Sequence, residues 1–213
     1  MTAKIKLNAA SGGGSFSLQA PSSSANTRVM TLPDTADGTV LTTTNPRSGS
    51  ILQMQSSLKT NYTSMNNTSF ADISGLSVSI TPQFNNSKII VTLTCQIGKQ
   101  SNEYGVIKIV QNSSGSFADI DVGDAFNATN GDVMTPGNMA TDDSTDDYGA
   151  YKVHTASCTI THTPATTNAV TYKAQYKTNY SGAYGIYINR SYNADNNIRA
   201  QGTSSITVME VKA

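Results

Sequence analysis

The sequence predicts an all-β protein: an antiparallel two-sheet sandwich of jelly-roll type, preceded by a short, extended, β-rich N-terminal segment. Three observations predict it. Leu76, Val78 and Ile80 alternate with Ser77, Ser79 and Thr81, and Ile89, Val91, Leu93, Cys95 and Ile97 alternate with Ile90, Thr92, Thr94 and Gln96. Successive side chains leave a strand on opposite sides, so this is the pattern of strands with one buried face. No helical period competes with it. About eight to ten such segments recur between turn residues, the count and spacing of a jelly roll.

The elements follow in order. Residues 1–45 form the N-terminal segment. Lys4 to Leu7 and Ser15 to Leu18 alternate briefly on either side of Gly12-Gly13-Gly14, Val29 to Pro33 is a further short strand, and Asp34 to Gly38 is a turn. Strands this short cannot bury enough surface to offset chain entropy, so the segment is expected to gain order only against a partner. Residues 46–50 are a linker, and residues 51–213 are the sandwich domain. A strand begins at Ile51 and continues loosely towards Tyr62. The two alternating strands come next, parted by Pro82, Asn85 and Asn86. Tyr104 to Val110 is a strand, Asn112 to Gly115 a turn, and 116–149 a long segment with little pattern, of the kind that is functional or mobile. Val153 to His162 presents Ala156, Cys158 and Ile160 inward, Val170 to Tyr176 alternates, Gly185 to Asn189 is short, and Ser204 to Val211 turns Ile206 and Val208 to the core.

Composition excludes several functions. Of 213 residues only 13% are charged, against 37% hydrophobic, and 14 basic residues balance 14 acidic ones. Ser, Thr, Asn and Gly supply an uncharged polar skin, which is poor at keeping solitary particles apart and suits a member of a larger assembly. There is no basic stripe for nucleic acid. No apolar run approaches the roughly 20 residues of a membrane span, and the N-terminus lacks the apolar region of a secretory signal. Cys95 and Cys158 sit at strand positions and are expected as buried free thiols, with a cross-strand disulfide as the alternative. The Asn-x-Ser/Thr triplets at Asn61, Asn127 and Asn189 are chance matches in so rich a composition.

Candidate sites are few. The acidic run Asp142 to Asp147 offers hard oxygen ligands but lacks the spacing of a calcium loop, so it reads as a solvated turn. His154 and His162 are eight residues apart, too far to share a ligand shell within one strand. No catalytic constellation can be placed, and no cofactor or metal is expected. The tyrosines are more telling. Tyr172, Tyr176, Tyr180, Tyr184, Tyr187 and Tyr192 crowd a short C-terminal stretch, where an apolar ring with one polar tip suits an interface between copies or a stack on receptor sugars. Tyr172 and Tyr176, in a strand, favour the axis between copies or the core, and Tyr180, Tyr184 and Tyr192, near loops, suit either use. In the N-terminal segment, Ile5, Leu7, Phe16, Leu18, Val29 and Leu32 are the sizeable apolar groups at strand spacing and the expected docking anchors.

Phe70 to Pro82, Ser87-Lys88-Ile89, Ala169 to Lys173, Tyr187 to Ser191 and Ser204 to Val211 together resemble the C-terminal domain of bacteriophage tail-fibre and virion surface proteins, a relative in outline of the trimeric C1q and tumour-necrosis-factor jelly rolls. Leu32 to Thr43 resembles a segment that often precedes that domain in marine phage proteins. The resemblance implies a homotrimer on the virion surface, joined to other virion proteins through its N-terminal segment, with a host-surface glycan as candidate ligand. It departs in the long acidic loop and in the absence of a shaft, which favours a short knob or cap. Three functions are expected in descending order: a surface knob that recognises the host, a capsid or tail decoration protein with a purely structural role, and an enzyme acting on surface polysaccharide. The third lacks the repeat of a β-helix depolymerase, so no enzyme activity is expected.

Overall fold

The computed structural model describes residues 4–19, 22–23, 25–27, 44, 46–99, 105–120, 152–178, 186–192 and 200–213. The described residues contain twelve strands and no helix. The chain divides into two compact units, Met1–Val40 and Leu41–Ala213.

In the first unit, β1 (Lys4–Asn8) and β2 (Ser15–Gln19) form an antiparallel hairpin. The Ala9 amide donates to the Gly14 carbonyl at 2.8 Å, and Gly12 and Gly13 take positive φ values of 84° and 71° in the turn, a conformation that costs glycine little. The register sets Ile5 opposite Leu18 and Leu7 opposite Phe16. Val29, Leu32 and the predicted strand and turn of 29–38 lie outside the described residues.

The second unit is an antiparallel sandwich. Its strands are β3 (Ile51–Lys59), β4 (Thr63–Met65), β5 (Ala71–Ile80), β6 (Lys88–Gly98), β7 (Gly105–Gln111), β8 (Ala118–Asp119), β9 (His154–His162), β10 (Val170–Thr178), β11 (Ile186–Ile188) and β12 (Ser204–Val211). One sheet has the order β5-β10-β7-β8. The other has the order β3-β12-β6-β11-β4, with β9 also paired to β6. The inward residues of both sheets form one apolar cluster that includes Leu76, Val78, Ile80, Val91, Leu93, Cys95, Ile97, Ile206 and Val208, as the alternation predicts.

Two strands depart from simple alternation. In β5, Gly75 sits at φ 85° and the pairing with β10 slips between Lys173 and Gln175. This bulge turns both Ile73 and Leu76 inward although they are an odd number of residues apart. In β3 the polarity is inverted. Gln53, Ser57 and Lys59 share the inward parity of Glu210, Ile206 and Ser204 of β12, while Met54 and Leu58 face out, 59% and 63% exposed. Hydrogen bonds hold the polar set. Glu210 accepts from Gln53 Nε2 at 2.6 Å, Ser87 Oγ at 2.6 Å and the Gln83 amide at 2.7 Å, which fastens the β5–β6 turn to β12. Lys59 Nζ donates to Asn61 Oδ1 at 2.9 Å and Thr63 Oγ1 at 2.8 Å. Burial pulls its pKa down, opposed by the neighbouring Cys95.

Candidate functional site

The two outer faces of the sandwich differ in charge. On the β5-β10-β7-β8 sheet, Asp72, Lys108, Asp119, Lys173 and Lys177 point outward. Lys108 pairs with Asp119 at 2.6 Å and Lys173 with Asp72 at 2.6 Å, and the two lysines lie over Phe70 and Phe117. Burial pushes the Asp72 carboxyl up, but hydrogen bonds from Lys173 and Gln175 outweigh it and hold the pKa below the usual value.

The opposite face, built by β3, β12, β6 and β9, carries a single outward charge along these strands, Lys88 at one end. Its rows are set by the register. Met54, Met209, Ile90 and Thr161 form one, Ser56, Thr207, Thr92 and Thr159 the next, and Leu58, Ser205, Thr94 and Ser157 the third. The hydroxyls bond to one another: Ser56 with Thr207 at 2.9 Å, Thr92 with Thr159 at 3.1 Å and Thr94 with Ser157 at 3.4 Å. Thr155 Oγ1 donates to Gln96 Oε1 at 3.0 Å. A polar group already paired within its own face loses little when water is removed. Apart from Lys88 at its end this face is uncharged, it is edged by exposed alkyl and thioether groups, and its hydroxyl pairs lower the cost of desolvating it.

Four aromatic and basic side chains gather where β11 meets β4 and the end of β6. Tyr187 stands opposite Gly98 and Ser64, on the same outer face as Gln96. The Arg190 guanidinium lies 4.2 Å from the centre of the Tyr187 ring and 4.6 Å from that of Tyr62, which is 55% exposed. Tyr192 meets Tyr187 edge to face, with ring centres 5.7 Å apart. Gly98 makes room for this. A Cβ there would stand 2.0 Å from the Arg190 carbonyl, so only glycine lets the Arg190–Ser191 backbone cross β6. The loop is pinned from below by Asn189, at φ 68°, whose side-chain amide donates to the Lys59 and Asn61 carbonyls and whose Oδ1 accepts from Ser204.

The predicted site residues separate accordingly. Tyr187 and Tyr192 come together at the surface, and they gain Tyr62 and Arg190 as partners that the sequence reading missed. Those two are distant in sequence from one another and no local spacing links them. Of the two places expected for Tyr172 and Tyr176, the structure shows the core and not an interface or receptor contact: both face the other sheet and are fully buried, because inward parity on β10 places them among the apolar cluster. The Tyr172 hydroxyl lies 2.8 Å from His162 Nδ1, and burial drives the tyrosine pKa up and the histidine pKa down, so both stay neutral. Tyr180 and Tyr184 lie outside the described residues, as does the acidic run Asp142 to Asp147. Ile5, Leu7 and Leu18 are 64%, 58% and 42% exposed on the hairpin.

Cys95 and Cys158 are free thiols on adjacent strands, and burial pushes the Cys95 pKa up to about 12. His154 and His162 are the first and last residues of β9. Among the described residues no group of three or more His, Cys, Asp or Glu is arranged to hold a metal ion, and no helix is long and apolar enough to cross a membrane.

No protein-family model matches the chain, and no curated protein matches it. Among solved structures it is similar to a chain of the structure of infectious bursal disease virus Gt strain, with a TM-score of 0.35 and 11% sequence identity, over 94% of this chain and 48% of that one. The chain thus spans about half the length of that neighbour, and a likeness at this level fixes neither a family nor a function.

Proposed function

We propose that this chain is a virion structural protein of a bacteriophage, a homotrimeric jelly-roll knob on the particle surface that contributes to recognition of the host. The observation that carries the self-association is the outer face of β3, β12, β6 and β9, uncharged between its ends and with three cross-strand hydroxyl pairs, set against the charged face on the other side of the sandwich. A surface left free in solution gains from mixed charge, whereas a surface buried against copies of itself must avoid it. The jelly-roll reading is supported by nested pairing: β3 with β12, β5 with β10 and β6 with β9.

The virion setting rests on the sequence resemblance and on the N-terminal hairpin. Two strands alone are marginal in water, and Ile5, Leu7 and Leu18 expose apolar surface that a virion partner would cover. A decoration protein with no outside ligand is the second reading, favoured by the same face. No catalytic role is proposed.

Gold-labelled antibody against the chain, applied to purified intact particles, tests the setting. Surface labelling is expected, and blocking by the antibody should reduce adsorption to host cells. Absence of label from particles that contain the protein would overturn the surface placement, and full adsorption despite saturating label would favour pure decoration.

A further inference from the structure

We propose that the cluster of Tyr62, Arg190, Tyr187 and Tyr192 binds a saccharide bearing an anionic group, carboxylate or phosphate. This rests on the host-recognition reading and names its ligand class. The Arg190 guanidinium lies over the rings of Tyr62 and Tyr187, at 4.6 and 4.2 Å from their centres. Its own loop uses it weakly: Nε and Nη2 approach the Ser191 and Tyr192 carbonyls at 3.3 and 3.5 Å. Neither ion pair among the described residues includes it. A guanidinium stacked on rings has its faces covered and its N–H edge left over, the edge that pairs with a planar anion through parallel hydrogen bonds. The rings supply the rest. Tyrosine offers an apolar face to the C–H side of a sugar and a hydroxyl to its alcohols, and Tyr62 is more than half exposed.

The position also suits a ligand site. The cluster sits at the end of the sheet, beyond the rows of paired hydroxyls, and is held there by two features. One is glycine at position 98, where any side chain would strike the Arg190–Ser191 backbone. The other is Asn189 in a left-handed conformation, bonded to three surrounding segments through Lys59, Ser204 and the Gln96 carbonyl. A stack on a pinned backbone, with the Tyr62 ring exposed and Tyr187, Arg190 and Tyr192 half-buried, loses little freedom on binding.

Titration calorimetry with the full chain tests this, using a glucuronate-containing hexasaccharide, a 6-phosphorylated hexasaccharide and neutral maltohexaose. One or both anionic sugars should bind, at least tenfold more tightly than the neutral one. Arg190→Ala should weaken that binding at least tenfold, and Arg190→Lys, which keeps the charge and loses the fork, several-fold. Tyr62→Ala removes an exposed ring, so it should weaken binding several-fold with an unchanged melting temperature, and it decides the matter if the Arg190 variants do not fold. Equal binding of all three sugars, no binding of any, or wild-type affinity in Tyr62→Ala or a folded Arg190→Ala would overturn the proposal. Sedimentation of the same samples keeps the two readings apart: a trimer that binds no sugar sinks this proposal alone, and a monomer sinks the assembly reading.

Discussion

Thr92 and Thr159 stand opposite each other on β6 and β9, with their hydroxyl oxygens 3.1 Å apart. The pair lies in the middle row of the uncharged face, between Thr207 and solvent. One hydroxyl donates to the other, so covering the pair with another subunit leaves a single O–H for that subunit to satisfy. The same residues would be unremarkable singly. Their arrangement in rows across four strands gives the face its character.

Beneath that face, Leu93 on β6 is a core residue flanked by Ile206 on β12 and Cys158 on β9. Leu93→Ala should destabilise the protein by about 2–5 kcal/mol, because the lost contacts and the cavity add. Urea unfolding measures it. A change below about 0.5 kcal/mol would mean that the parity of β6 is reversed.

Glu210 is fully buried and held by the Gln53 amide, the Ser87 hydroxyl and the Gln83 backbone N–H. Glu210→Gln replaces an acceptor by a donor in front of other donors. It should cost on the order of 3 kcal/mol, and hydrogen exchange should quicken first in the 82–87 turn. Wild-type stability in this variant would show that the carboxylate is dispensable to the turn.

Burial lowers the His162 pKa, so the folded protein resists a proton that the unfolded chain accepts. Above the unfolded value of about 6.5, both states are neutral and this residue contributes no pH dependence. As the pH falls through that value, stability should decline, by at most about 1.4 kcal/mol per unit from this one group, until the folded value is passed. The wild-type stability curve between pH 7 and 5 should therefore be steeper than that of His162→Gln. Parallel curves would contradict the assignment.

Deleting residues 1–45 should leave a folded β protein that no longer joins the particle. The exposed Ile5, Leu7 and Leu18 serve docking in this account, and among the described residues the apolar cluster of the sandwich draws on Met65 and residues after it. Circular dichroism and incorporation into particles separate the outcomes. Loss of the β signal, or undiminished incorporation, would refute the division of labour.

How far the sequence could be read depended on period. Where apolar residues alternate without interruption, as from Ile89 to Ile97 and from Ser204 to Val211, strand, parity and core were all legible. The bulge at Gly75 was not, because one left-handed glycine changes parity without changing composition. β3 read as loose because its inward face is polar, and only Glu210 and the residues around Lys59 make those positions intelligible. On β10 residue type and parity point to different places: Tyr172 and Tyr176 have the residue type of an interface and the parity of a core, and parity prevails. The Arg190 stack was invisible, since Tyr62 and Tyr187 meet only through the β4–β11 pairing and the backbone crossing at Gly98.

Self-association through the uncharged face is the central claim, and sedimentation equilibrium of the full chain beside Thr92→Lys tests it most directly. Thr92 points outward from the middle of the face, so a lysine there adds charge without entering the core. The account predicts three copies for the wild type at micromolar concentration, and a monomer with a melting temperature within a few degrees of the wild type for Thr92→Lys. A monomeric wild type, or a Thr92→Lys trimer as stable as the parent, would contradict it.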